Sequence, residues 1–215
     1  MTTRIRVSIA AAIVGLSLGG CAGQITYRPP VAQSPTITKI VNAPLDQVWA
    51  KSVPALSKEF FVINNIDKAS GLINVSYSGD PAKYVDCGYL HSYVKNARGE
   101  RNYDFPVAAP SADYEAMVNE TLYRVHRSMS LDGRVNLIFE ADGAKTKVTA
   151  NTRYVLTRKL SILQAGTQIP QGVEDQIAFN SNGNASFPSL VVDMGEATTC
   201  RANGELEADV LNAVR

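Results

Sequence analysis

The stretch TLYRVHRSMSLDGRVNLIFEADGAKTKVTANTRYVLT, residues 121–157, decides the fold. In residues 121–131, Tyr123, Val125, Met129 and Leu131 alternate with Arg124, His126, Ser128 and Ser130. A period of two marks a strand with one buried face. Asp132-Gly133 carries hairpin-turn chemistry. Residues 134–141 alternate again, with Val135, Leu137 and Phe139 against Arg134, Asn136 and Glu140. Asp142-Gly143 offers a second turn. Residues 145–157 follow, with Val148, Ala150, Tyr154 and Leu156 against Lys147, Thr149, Asn151 and Arg153. The reading predicts three short antiparallel strands with one apolar face.

Before this meander, residues 36–41 are β-branched and alternating, which predicts a strand. Pro44 suits a first helical turn, and Asp46 favours the positive helix end. Leu45, Val48, Trp49, Val53 and Leu56 recur three to four apart on one face. Pro54 is expected to kink this helix or to start a second one. Residues 60–66 and 72–78 read as a strand pair around Asp67-Lys68-Ala69-Ser70-Gly71. Residues 79–112 read as a long irregular segment. Residues 164–189 are polar, with a hairpin expected around Asn182-Gly183. A last helix, capped by Asn203, places Leu206, Val210, Leu211 and Val214 in one stripe that closes the core. The expected class is α+β: a helix and hairpin, an antiparallel meander and a closing C-terminal helix, as one domain over residues 36–215.

The N-terminus has a different character. Arg4 and Arg6 precede residues 7–18, which are apolar or small and uncharged. That run is shorter than the ~20 residues of a membrane-spanning helix and matches a signal-peptide core. It ends in Leu18-Gly19-Gly20-Cys21, which resembles the bacterial lipobox. The resemblance implies cleavage before Cys21, a diacylglyceryl thioether on its sulfur and an acylated amine. The alternative is an ordinary secretory signal with an incidental cysteine. Ala22 and Gly23 follow where an Asp would retain an enteric lipoprotein in the inner membrane, so the analogy points to the outer membrane, facing the periplasm or the surface. Residues 21–35, with Pro29, Pro30 and Pro35, read as an extended tether. No later apolar stretch is long enough to span a bilayer.

Net charge is +1 for the full chain, and loss of Arg4 and Arg6 takes it to about −1. That balance argues against a nucleic-acid partner. With Cys21 modified, Cys87 and Cys200 remain. An even pair outside the cytoplasm reads as a disulfide, which the chain-entropy model credits with ~4–5 kcal/mol for so long a loop. Two buried thiols, or a redox or metal pair, are the alternatives.

Catalytic and cofactor motifs are absent: there is no G-x-S-x-G elbow, phosphate-binding glycine loop, H-E-x-x-H or C-x-x-C. His126 falls on the polar face of a strand and His91 in the irregular segment. Asp67, Asp80 and Asp86 are too sparse for a calcium site, which needs six or more oxygens. No cofactor and no metal site are expected. Trp49 reads as core, with a partner contact as the sharper alternative. Tyr77, Tyr84, Tyr89 and Tyr93 either line a groove or cover the sheet. Trp49, Tyr77 and Tyr84 are therefore the candidate partner or ligand contacts.

Residues 44–77 read Pro-Leu-x-x-Val-Trp, then Leu56, a strand, an acidic turn ending in Gly71, and Ile73-x-Val75-x-Tyr77. This order resembles the helix-grip domains of BamC-type (NlpB-like) envelope lipoproteins. The resemblance implies a helix-grip-like fold and a role in outer-membrane assembly. Residues 84–88 and Cys200 have no counterpart in that pattern. The expected function is non-enzymatic: an outer-membrane lipoprotein serving envelope assembly, as a scaffold or interaction component. The alternative is a binder of a lipid or other apolar ligand between sheet and helix.

Overall fold

The computed structural model describes residues 22–190, 192 and 196–215. The expected leader, residues 1–20, and the expected lipidation site Cys21 lie outside the described residues. The architecture overturns the α+β, helix-grip-like expectation: 59% of the described residues are strand and 13% helical, in three sheets with two helices. The excess of β arises where the alternation is broken by polar residues, in stretches that read as tether or loop.

The strands, in order, are β1 (Ala22–Arg28), β2 (Thr38–Val41), β3 (Val62–Asp67), β4 (Leu72–Gly79), β5 (Val85–Asp86), β6 (Tyr89–Asn96), β7 (Gly99–Pro106), β8 (Ser111–Val118), β9 (Thr121–Asp142), β10 (Lys145–Gln164), β11 (Gln171–Asn180), β12 (Asn184–Phe187) and β13 (Thr198–Ala202). The helices are α1 (Leu45–Leu56) and α2 (Glu205–Ala213). All pairings are antiparallel. The largest sheet runs β11-β10-β9-β4-β3, with β2 also on β10 and β8 also on β9. A second sheet is β1-β6-β7 and a third β12-β13-β5.

One long hairpin, β9 and β10, is the spine. Its ladder runs from Asp142 opposite Lys145 to Tyr123 opposite Gln164. Asp142-Gly143 turns as expected, but Asp132-Gly133 does not: Gly133 pairs with both Tyr77 and Tyr154 inside the sheet. Its lack of a side chain serves packing instead. A Cβ there would lie 2.9 Å from Cδ2 of Leu206, so the bare backbone lets α2 settle on the sheet.

Near the Asp142 turn the fold is helix on sheet. Trp49 packs edge-on to Phe139, with ring centroids 5.2 Å apart, and Leu206, Val210 and Leu211 are buried. Helix α1 continues through Pro54 to Leu56 as one element rather than two, because the proline falls in the last turn. Lys39 Nζ donates to the carbonyls of Leu211 and Val214, both at 2.9 Å, and so neutralises the C-terminal end of α2. The expected cap at Asn203 is corrected: Gly204, in the left-handed region, is the N-cap of α2, and Asn203 lies one residue earlier, its Oδ1 accepting from the Glu205 N–H at 3.0 Å.

At the other end of the spine the fold is sheet on sheet. The segment 79–112, expected to be irregular, holds the β6–β7 hairpin, and Ser92 Oγ in β6 donates to the Glu115 carbonyl of β8 at 2.6 Å. The expected tether is also corrected: residues 22–28 are strand β1, in register with β6 from Ala22 opposite Lys95 to Arg28 opposite Tyr89. The Asn182-Gly183 turn forms, but β12 leaves for the third sheet and pairs with β13. Cys87 and Cys200, 113 positions apart, form a disulfide that ties the start of the β6 region to β13.

Candidate functional site

The solvent face of the spine collects side chains that no core demands. Strand alternation points Asn74 and Ser76 of β4, Arg134 and Asn136 of β9, and Asn151 and Arg153 of β10 outward together. Register then aligns them in rows across the strands. One row runs Asn74, Asn136, Asn151, and the next runs Ser76, Arg134, Arg153, Asn180. Asn64, carried on a bulge in β3, joins the first row.

The amides bond one another in a chain. Asn64 Nδ2 donates to Asn74 Oδ1 at 2.9 Å, and Asn74 Nδ2 donates to Asn136 Oδ1 at 2.6 Å. Ser76 Oγ donates to Asn64 Oδ1 at 3.3 Å. These contacts fix amide orientations and leave lone pairs and N–H groups facing solvent. Arg134 and Arg153 are directly opposite each other. Like charges so placed are unfavourable in a sheet. Neither forms an ion pair among the described residues. Two open hollows of about 700 and 670 Å³ meet at Arg153, which lines both, and make up a trough of mainly polar side chains with Val155 and Phe179 among them. Tyr77 lies at its rim.

The lining of the trough offers amides, hydroxyls, two guanidinium groups and the carboxylate of Asp132, and it holds no histidine, cysteine, lysine or glutamate. A guanidinium pair among amides recognises hydroxyl and carboxylate or phosphate oxygens.

The other sequence candidates have different places. Trp49 and Tyr84 are 7% and 0% exposed, so the surface-contact reading of both is corrected: they are core. Tyr84 donates to Asp209 Oδ2 at 3.0 Å, and its hydroxyl is pushed up to about 12 by burial first, then by Asp209. Tyr77 is half-buried, its ring edge-on to Tyr84 and Phe60. Tyr89 is exposed under the Arg28 guanidinium, and Tyr93 is half-buried, so the four tyrosines share no groove. Asp67, Asp80 and Asp86 each accept backbone N–H bonds in separate turns, from Ala69, Ala82 and Gly88. The Ser70 hydroxyl and the backbone around it hold the Asp67 carboxyl below its usual range. His126 Nδ1 lies 2.8 Å from Asp113 Oδ1 at the surface, and His91 is half-buried on β6. No cluster of three or more metal-ligating side chains occurs among the described residues.

Sequence reasoning passed over two buried arginines. Arg127 and Arg158 are 2% and 1% exposed on the inward face of the spine. Arg158 donates to Asp175 Oδ2 at 2.7 Å and to the Pro188 carbonyl at 3.0 Å, and lies over the Phe187 ring. Both fall on the apolar phase of the alternation, and that was the available signal.

The chain matches no protein-family model, no curated protein and no solved structure. Among the described residues no helix is long and apolar enough to cross a membrane.

Proposed function

We propose that this chain is a lipid-anchored envelope protein that acts by binding, without catalysis, and presents the polar trough of its main sheet to an envelope partner. The trough carries the reading: ordered amides surround an arginine pair that has no partner of its own within the described residues. The Leu18-Gly19-Gly20-Cys21 element supplies the anchor, with the outer membrane as its destination. The Cys87–Cys200 disulfide supports an oxidising compartment. An anchor confines the domain to a surface and raises its effective concentration near other envelope components.

The apolar-ligand reading has less support. Leu206 fills the space over Gly133, and Tyr154 stacks on Phe179 with ring centroids 5.3 Å apart, where a cavity between sheet and helix would lie.

Photo-crosslinking in intact envelopes tests the proposal. A photoreactive residue replacing Ser76 should capture a discrete partner, and Arg134→Glu with Arg153→Glu should abolish the capture while the protein stays folded. Capture that survives the charge reversal would remove the trough from the account.

A further inference from the structure

Strand β1 imposes a constraint that a flexible tether would not. It begins one residue after Cys21 and is paired from its first residue, Ala22 opposite Lys95. It is also held from a second side. A Cβ on Gly23 would lie 2.2 Å from Cβ of Met117, so β1 lies directly against β8. Further along, the Tyr27 hydroxyl donates to the Cys87 carbonyl at 3.0 Å and accepts from the Thr199 N–H at 3.0 Å, which fastens β1 to the third sheet. Successive Cα atoms are ~3.8 Å apart. Acyl chains on residue 21 would therefore leave the folded body at its edge, with no spacer.

That edge has its own surface character. Ala22 lies beside the β6–β7 hairpin tip, where Arg98 is exposed. The tip and the loop after β10 share a hollow of about 380 Å³ lined by Arg98, Leu122, Leu163 and Gly166. The same loop carries Ile169, which at 82% is the most exposed large apolar side chain of the described residues. Ile169 lines a second hollow, of about 250 Å³, with Tyr123, Ile162, Val173 and Leu190. The Asp142-Gly143 turn is at the opposite end of the β9–β10 ladder.

We infer that the end of the molecule bearing β1, the β6–β7 tip and the β10–β11 loop lies directly on a lipid surface, with Ile169 in the headgroup layer. This rests on the lipid-anchored reading. An exposed isoleucine gains by leaving water, and an arginine at the same end of the molecule, such as Arg98, keeps its charge among headgroups while its stem lies along apolar surface. The short connection then fixes orientation as well as location: the Asp142 turn points away from the membrane.

The mature, acylated protein in vesicles of phosphatidylethanolamine and phosphatidylglycerol tests this. Ile169→Cys and Ala144→Cys variants, each labelled with bimane, are compared with and without bromine on the lipid tails; both positions are exposed, so neither change disturbs packing. The label at 169 should shift to the blue and lose most of its emission to bromolipid, while the label at 144 should respond only to aqueous iodide. Equal aqueous behaviour at both sites, in protein whose residue 21 is shown by mass to be acylated, overturns the orientation and leaves the anchor standing. An unmodified residue 21 overturns the anchor and the orientation with it.

Discussion

Tyr154 and Glu207 meet at 2.7 Å between β10 and α2, both 0% exposed, with the tyrosine hydroxyl donating to Oε2. Oε1 has no partner among the described residues, so the tyrosine is the main polar contact of a buried carboxyl group. Tyr154→Phe leaves that group unsatisfied and should lower stability by about 1–3 kcal/mol in urea unfolding at neutral pH. Alkali tests the same packing. Burial raises the hydroxyls of Tyr154, Tyr84 and Tyr27 above the ordinary tyrosine value near 10, with Tyr84 reaching about 12. A raised value means that the fold favours the neutral form. That stabilisation is complete below pH ~10 and is lost as pH rises through the folded values. Stability measured from pH 8 to 11.5 should fall steeply above 10, and less steeply in Tyr154→Phe; a flat profile would contradict the buried-tyrosine account. At this scale the sequence was legible for apolar side chains. It was not legible for Arg127 and Arg158, whose type argues for solvent while their position in the alternation argues for burial.

Among elements, those with clean alternation or a clean helical stripe were readable: β3 and β4 around Gly71, the stretches 121–131, 134–141 and 145–157 of the spine, and the two helices. Boundaries failed where a turn signal had another use. Asp132-Gly133 reads as a hairpin, yet Gly133 is the flat spot under Leu206. β1 was missed because only Ile25 of its seven residues is buried and prolines follow closely. β7 was missed because it is an edge strand with no fully buried residue. Such strands depend on register with a neighbour more than on their own composition, and register is a long-range property. The disulfide belongs to this scale, since it joins β13 to the turn before β6. Replacing Cys87 and Cys200 together by serine should cost about 2–5 kcal/mol. Denaturant unfolding should show the wild type losing a similar amount in reductant, and identical transitions with and without reductant would contradict the bridge's role.

The whole molecule divides its labour by direction. One end of the spine carries β1, the β6–β7 tip and the β10–β11 loop, the other carries the two helices, and one face of the main sheet carries the polar trough. The class of fold was misread because helices announce themselves in sequence more strongly than edge strands do, although the antiparallel principle of the main sheet was visible in residues 121–157. The trough was visible only as polar phases of separate strands; its rows exist because distant segments share a register. Both the proposed location and the proposed orientation require a lipid at residue 21. Mass spectrometry of the mature chain extracted from membranes tests this most directly: the N-terminal peptide should begin at Cys21 and carry a diacylglyceryl group and an amide-linked acyl chain, whereas a free thiol at that position, or a chain still bearing residues 1–20, would contradict it.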